Sequence, residues 1–222
     1  MKKFSDALLV ILVCGTMLLI FISGSGMIEP VTARMQPFQI KNSWLKASPD
    51  QHLLKTGDLI FRHGRGFISN AFQQLSRKDQ RYSHAGIIVI ENGNVFVYHC
   101  IGGEENKTNK MKKESLASFC RPDQNHSFAI YRTDLQKEQV VQLENDLLRH
   151  YHEGLEFDTD FDLKSDGKMY CTELVYKLLT SASRDNNFLP LTRFSGRTYV
   201  SCDNIYLSPH CREIYAYNYS NQ

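Results

Sequence analysis

The chain has 222 residues, a formal net charge of +2 and 42% hydrophobic residues. A charge this small excludes the basic footprint of a nucleic-acid binder, and the apolar content is that of an ordinary globular protein. No internal repeat or long low-complexity segment interrupts the chain, and roughly 180 residues beyond the N-terminus are enough for one domain with a sizeable core.

Lys2 and Lys3 precede an apolar run from Ala7 to Ile22, and Ser23-Gly24-Ser25-Gly26 follows it. A basic flank, an apolar centre and small residues have the layout of an export signal. At about 1.5 Å per residue the run reaches roughly 24 Å, short of a ~30 Å hydrocarbon core. Both a cleaved signal and a retained anchor are therefore open. Residues 1–26 are expected to be that signal or anchor, 27–50 a linker and 51–222 the domain. In either case the lysines stay inside and the domain lies on the extracytoplasmic side. The membrane is a partner through residues 7–22 if they are uncleaved.

Met27 to Pro49 carries Pro30, Pro37 and Pro49 among polar residues and reads as the linker, with Trp44 placed to pack on the domain. Thr56-Gly57-Asp58-Leu59-Ile60-Phe61 is a turn leading into a strand. Phe67, Ile68, Ala71, Phe72 and Leu75 repeat at helical spacing, and such an aromatic face is expected in the core. Ser83–Ile90 and Val95–Ile101 are strands joined by Asn92-Gly93, the favoured two-residue turn. Lys107 to Lys113 reads as a solvated loop, and Phe128–Arg132 as another strand. Gln136 to His152 is an amphipathic helix capped by Thr133 with Gln136 and ended by Gly154. Phe157 to Asp162 reads as a loop with Phe157 and Phe161 inward and its acids in water. A helix then begins at Cys171 and ends near Ser181. A short helix around Asp203–Leu207 and a last strand Glu213–Tyr217 complete the chain.

Two of these elements carry chemistry. The first backbone N–H groups of a helix are unpaired and partly positive, so a thiol at Cys171 is expected to lose its proton more easily, and the thiolate is the nucleophile. A cysteine there can equally be a small buried apolar residue. In the hairpin, the Asn92-Gly93 turn makes opposed residue numbers sum to 185, which sets His99 opposite Gly86 and His84 diagonal to it on the same face. Ring side chains bridge such diagonals, and Gly86 leaves their neighbourhood free of a side chain. The six cysteines include Cys14 in the apolar run and Cys171. Cys100, Cys120, Cys202 and Cys211 remain, as disulfides or as free thiols. His63, His150, His152, His210 and Cys211 lack the paired spacing of a zinc site, so no metal or cofactor is expected.

Gly57-Asp58-Leu59-Ile60-Phe61, Ser83-His84-Ala85-Gly86-Ile87 and Phe157-Asp158…Tyr170-Cys171-Thr172-Glu173-Leu174-Val175 occur in that order. Together they resemble the circularly permuted branch of the NlpC-type papain-like hydrolases, and within it the YiiX/YaeF-like subgroup; lecithin-retinol acyltransferase-like enzymes are more distant cousins. The resemblance implies an α+β fold with an antiparallel sheet packed against helices, beside an N-terminal apolar helix. It implies Cys171 as nucleophile, His84 as base and His99 at the third polar position, where close relatives often carry an acid. The function it implies is an exported thiol hydrolase that cleaves an amide bond in a cell-envelope peptide through a thioester. The alternatives are a lipid acyl hydrolase or acyltransferase, and a non-catalytic binding module on the same fold. The partner is thus an amide- or ester-containing envelope substrate, and no nucleic acid.

Overall fold

The computed structural model describes residues 37–103, 106–161 and 163–221. The expected N-terminal apolar helix, the signal or anchor and Cys14 lie outside these residues. Among the described residues no helix is long and apolar enough to cross a membrane.

Part of the expected linker is helix α1 (Pro37–Ala47). Its Ala47 is fully buried, and Trp44 meets Phe128 with ring centroids 6.2 Å apart. After it come β1 (Leu59–Gly64), α2 (Phe67–Gln73), β2 (His84–Glu91), β3 (Asn94–His99), β4 (Lys112–Ser115) and α3 (Leu116–Phe119). The rest of the chain forms β5 (Asn125–Thr133), α4 (Lys137–Glu153), α5 (Cys171–Ser183), β6 (Thr192–Phe194), β7 (Arg197–Tyr199), α6 (Cys202–Tyr206) and β8 (Cys211–Asn218).

Six strands form one antiparallel sheet in the order β4-β3-β2-β1-β5-β8, and β6 pairs with β7 in a separate hairpin. Strand alternation sends successive side chains to opposite faces. Leu59, Phe61, Ala85, Ile87 and Val89 thus meet Leu143 and Leu147 of α4 and Leu174, Val175 and Leu178 of α5. Ile60, Ile88, Val97, Phe128 and Ile130 pack on the other face with Ala47 and Phe119.

The β2–β3 hairpin has the register that its turn dictates, with Ile87 opposite Tyr98 and Glu91 opposite Asn94. Asn92 and Gly93 both adopt positive φ, as the two-residue turn requires. Helix α4 is capped by Gln136 with Gln139 rather than by Thr133 with Gln136, because Gln136 itself stands at the N-cap. Gly154 ends that helix at φ 74°. The Gly57-Asp58 turn is held by an ion pair: Asp58 is 1% exposed and takes Nε and an NH2 donor of Arg132, both at 2.7 Å.

Three expectations need correction. Lys112 and Lys113 belong to edge strand β4, not to a solvated loop. Helix α2 has no buried residue, so its aromatic face is not core; Phe67 and Ile68 are 60% and 70% exposed. Asp158 is buried rather than in water, and its carboxylate accepts the Asp160 N–H at 2.8 Å.

Candidate active site

Cys171 is the first residue of α5, directly after the N-cap Tyr170. Glu173, with no exposed surface, reaches back to accept the Tyr170 N–H at 3.2 Å. The Thr172 hydroxyl donates to the Val200 carbonyl at 2.7 Å, and the Tyr170 hydroxyl accepts the Val200 N–H at 3.0 Å. These bonds clamp the helix start. They fix the Cys171 backbone before any substrate arrives.

The sulfur lies where the N–H groups of Ala85, Thr172 and Cys171 itself point at it. Those donors and Arg62 favour the thiolate, yet burial is the larger influence and holds the thiol above its ordinary value. This reverses the expectation from the helix terminus alone. A helix-end field is worth about 0.3–1 kcal/mol, whereas desolvating a charge inside a fold costs several kcal/mol.

His84 begins β2 and His99 ends β3, and the two rings meet as the register requires. His84 Nε2 lies 2.8 Å from His99 Nδ1, and His99 Nε2 lies 2.9 Å from Glu114 Oε1 on β4. The other Glu114 oxygen accepts the Ser118 hydroxyl at 2.8 Å and lies 3.1 Å from Lys112 Nζ. Burial alone would raise the Glu114 carboxyl, but the His99 and Ser118 hydrogen bonds outweigh it and hold the group down at about 2. Burial, with Arg62 nearby, pushes His99 below the ordinary imidazole value and His84 well below it.

The tautomers follow from that order. An ionised carboxylate only accepts, so the proton of neutral His99 sits on Nε2 and its Nδ1 accepts. His84 must then donate from Nε2, which leaves its Nδ1 bare and able to take a proton. Phe119 covers the pair, with centroids 5.8 Å from His84 and 5.1 Å from His99, and Arg62 stacks on the same ring at 4.7 Å.

Gly86 leaves the space that this arrangement needs. A Cβ there would stand 2.7 Å from Val97 Cγ1 and 3.3 Å from His99 Cβ. The absence of a side chain at this position thus lets β3 bring His99 against His84.

Cys171 and His84 line one cavity of about 590 Å³. Its lining is largely apolar and includes Phe67, Ile68, Phe72, Phe157, Phe161 and Tyr170. The two histidines are in direct contact, and Cys171 and His84 line the same cavity. The sequence reading missed Glu114, Arg62 and Phe119. Arg62 had a signal, since it extends the Gly57–Phe61 motif by one strand residue and pairs with His84 across the sheet.

Among the described residues, Cys100, Cys120, Cys171, Cys202 and Cys211 are all free thiols. Also among them, no three His, Cys, Asp or Glu side chains gather as a bound cation would require.

Residues 53–199 match the family described as permuted papain-like amidase enzymes, YaeF/YiiX, C92 family. The uncharacterized protein YiiX of Escherichia coli strain K12 is 29% identical over 130 residues, which cover 58% of this chain and 58% of that protein. A crystal structure from Escherichia coli O157:H7, described as the metalloprotein yiiX, superposes with a TM-score of 0.58 at 22% identity. That match covers 72% of this chain and 95% of the other, and it speaks for the fold.

Proposed function

Because the chain belongs to the C92 family of permuted papain-like amidases, we propose that it is a cysteine amide hydrolase in which Cys171 attacks and His84 is the base. The observation that supports this reading is that Cys171 and His84 line one cavity, with the His99–Glu114 relay fixing the bare nitrogen of His84.

With the thiol held up and the imidazole held down, the resting pair is neutral. His84 Nδ1 takes the thiol proton as sulfur attacks the carbonyl carbon, so the charged nucleophile exists only as the bond forms. The tetrahedral oxyanion then needs donors, and the backbone N–H groups at the start of α5 are already aimed at this region. The Glu114 carboxylate, two hydrogen bonds away, stabilises the imidazolium through His99. His84 returns the proton to the leaving amine as the C–N bond breaks. Water hydrolyses the thioester, releasing a carboxylic acid and the free thiol.

The apolar N-terminal run supports an exported enzyme, anchored or released, with its substrate in the cell envelope. A stem peptide of the wall and an acylated lipid are the two envelope substrates in view. The apolar lining of the cavity favours the second.

The test is turnover of a panel of amides by the purified chain, with and without a thiol-directed electrophile. The expected result is amide hydrolysis that disappears on alkylation of Cys171 and in Cys171→Ala. Hydrolysis that survives both would overturn the reading. A site that binds amides without ever consuming them would leave a binding module.

A further inference from the structure

We propose that Cys171 and Cys202 form a reversible oxidation site, in which Cys202 captures oxidised Cys171 as a disulfide. The proposal rests on Cys171 being the reactive thiol of the reading above, and it gives a role to a second cysteine that the hydrolysis does not use.

The two thiols share a surface. Cys171 opens α5 and Cys202 opens α6, and both line the same cavity. Cys202 is otherwise buried, so the cavity is its route to solvent. The two helix starts are tied through Val200. Its carbonyl accepts the Thr172 hydroxyl at 2.7 Å, and its N–H donates to the Tyr170 hydroxyl at 3.0 Å. Cys171 lies between those two anchors in the chain, and Cys202 follows Val200 by two residues. Ser201 then fixes α6: its N–H donates to Asn204 Oδ1 at 2.9 Å, and its hydroxyl to Asp203 Oδ1 at 2.5 Å. The other Asp203 oxygen accepts the Arg77 and Lys78 N–H groups at 2.9 and 2.7 Å. These bonds hold both helix starts against one short stretch of chain.

The remaining thiols are placed differently. Among the described residues, Cys202 is the one other cysteine that lines the cavity. Cys120 packs on the opposite face of the sheet with Phe119 and Ile130. Cys211 opens the edge strand β8. A charge on Cys171 is felt at Cys100 as well as at Cys202, but Cys100 is fully buried and does not line the cavity. Burial holds both Cys171 and Cys202 above the ordinary thiol value, so neither is a thiolate at rest. The base His84 on the same cavity then makes Cys171 the thiol that meets an oxidant first.

Hydrogen peroxide is the oxidant in the balanced sequence. Cys171 sulfur attacks one peroxide oxygen, the O–O bond breaks, and the thiol proton passes through His84 to the departing oxygen, which leaves as water. Sulfur loses two electrons to the peroxide and becomes a sulfenic acid, which condenses with a neighbouring thiol. Cys202 sulfur attacks Cys171 sulfur, the S–O bond breaks, and the hydroxyl leaves as water with the Cys202 proton. The disulfide silences the nucleophile and keeps it from the sulfinic acid, which thiols do not reduce. Exchange with a dithiol restores both cysteines.

The test uses the full chain, hydrogen peroxide, and iodoacetamide to mark the thiols that stay reduced. The parent is expected to lose two hydrogens on oxidation. Its peptides, cut at Tyr206 to separate Cys202 from Cys211, are expected to carry a Cys171–Cys202 link. After dithiothreitol, iodoacetamide should again alkylate Cys171. In Cys202→Ser and Cys202→Ala, the fraction of Cys171 recovered after prolonged peroxide should be about tenfold smaller, because the sulfenic acid goes on to sulfinic acid. The linked peptide is read on the parent alone, so the test does not depend on how the variants fold. A link from Cys171 to Cys100, or sulfinic acid formed as fast in the parent as in the variants, overturns the proposal. Cys171 that iodoacetamide alkylates but peroxide leaves reduced also overturns it, with the nucleophile still standing. Cys171 that neither reagent modifies, where denatured protein reacts with both, removes the thiol-hydrolase reading itself.

Discussion

His84 Nε2 stands 2.8 Å from His99 Nδ1, so the imidazole read as the base is oriented by a second imidazole rather than by a carboxylate. The acid is one step further out, where Glu114 meets the far nitrogen of His99 at 2.9 Å. A neutral imidazole between base and carboxylate passes on orientation while keeping the charge away from the reacting sulfur. The carboxylate still decides which nitrogen of His84 is free.

Replacing Glu114 by Gln should therefore act on both rate and pH dependence. Without the ionised acceptor, neither histidine tautomer is fixed and the imidazolium loses its counter-charge. We expect kcat to fall at least tenfold with KM nearly unchanged, and the acid limb of kcat/KM to move to lower pH. Stability should change as well. The Glu114 carboxyl is held at about 2 against an ordinary 4.5, so its ionised form stabilises the fold above pH 4.5, and that contribution is lost as pH falls toward 2. Acid denaturation of Glu114→Gln should lack that contribution. A variant with the parent's rate and acid denaturation would remove Glu114 from the relay.

The neutral resting pair makes its own prediction. An imidazole below 6.5 and a thiol above 9.0 bracket a window in which neither group changes protonation. The profile of kcat/KM should be flat between those values, with an acid limb below and an alkaline limb above. A limb inside the window would indicate a preformed thiolate and imidazolium, or a different base.

Gly86→Ala probes the packing that joins the histidines. The new Cβ would press on Val97 and His99, at 2.7 Å and 3.3 Å. Moving β3 aside should cost about 1–3 kcal/mol, read as a lower denaturant midpoint, and should slow turnover by displacing His99. Full activity in a destabilised variant would separate the glycine's packing role from the relay.

Asp58 tests the part of the family motif that does not touch the site. It is paired bidentately with Arg132, and removing it leaves that guanidinium, 19% exposed and still bonded to the Leu53 carbonyl, without its carboxylate. Asp58→Ala should lose about 1.5–3 kcal/mol of stability in denaturant unfolding. A loss below 1 kcal/mol would place the motif's value elsewhere.

The hairpin was legible because its turn and its alternation both operate over short range. Asn92-Gly93 fixed the register, and the register carried His84 to His99 with no tertiary information. Glu114 was not legible. Lys112-Lys113-Glu114-Ser115 has no apolar alternation and becomes a strand only by pairing with the edge of β3. For α2, periodicity identified a helix with an apolar face but not what that face meets, and it lines a cavity instead of packing in the core. The thiol was misjudged for a similar reason: a helix terminus is visible in sequence, whereas the burial that outweighs it belongs to the whole fold.

The most direct test is the mass of the chain quenched during turnover of an amide substrate. The account predicts an acyl adduct on Cys171 in the parent, none in Cys171→Ala, and adduct formation slowed by about 10²–10⁴ in His84→Ala. An adduct on another residue, or amide hydrolysis that proceeds in Cys171→Ala, would contradict it.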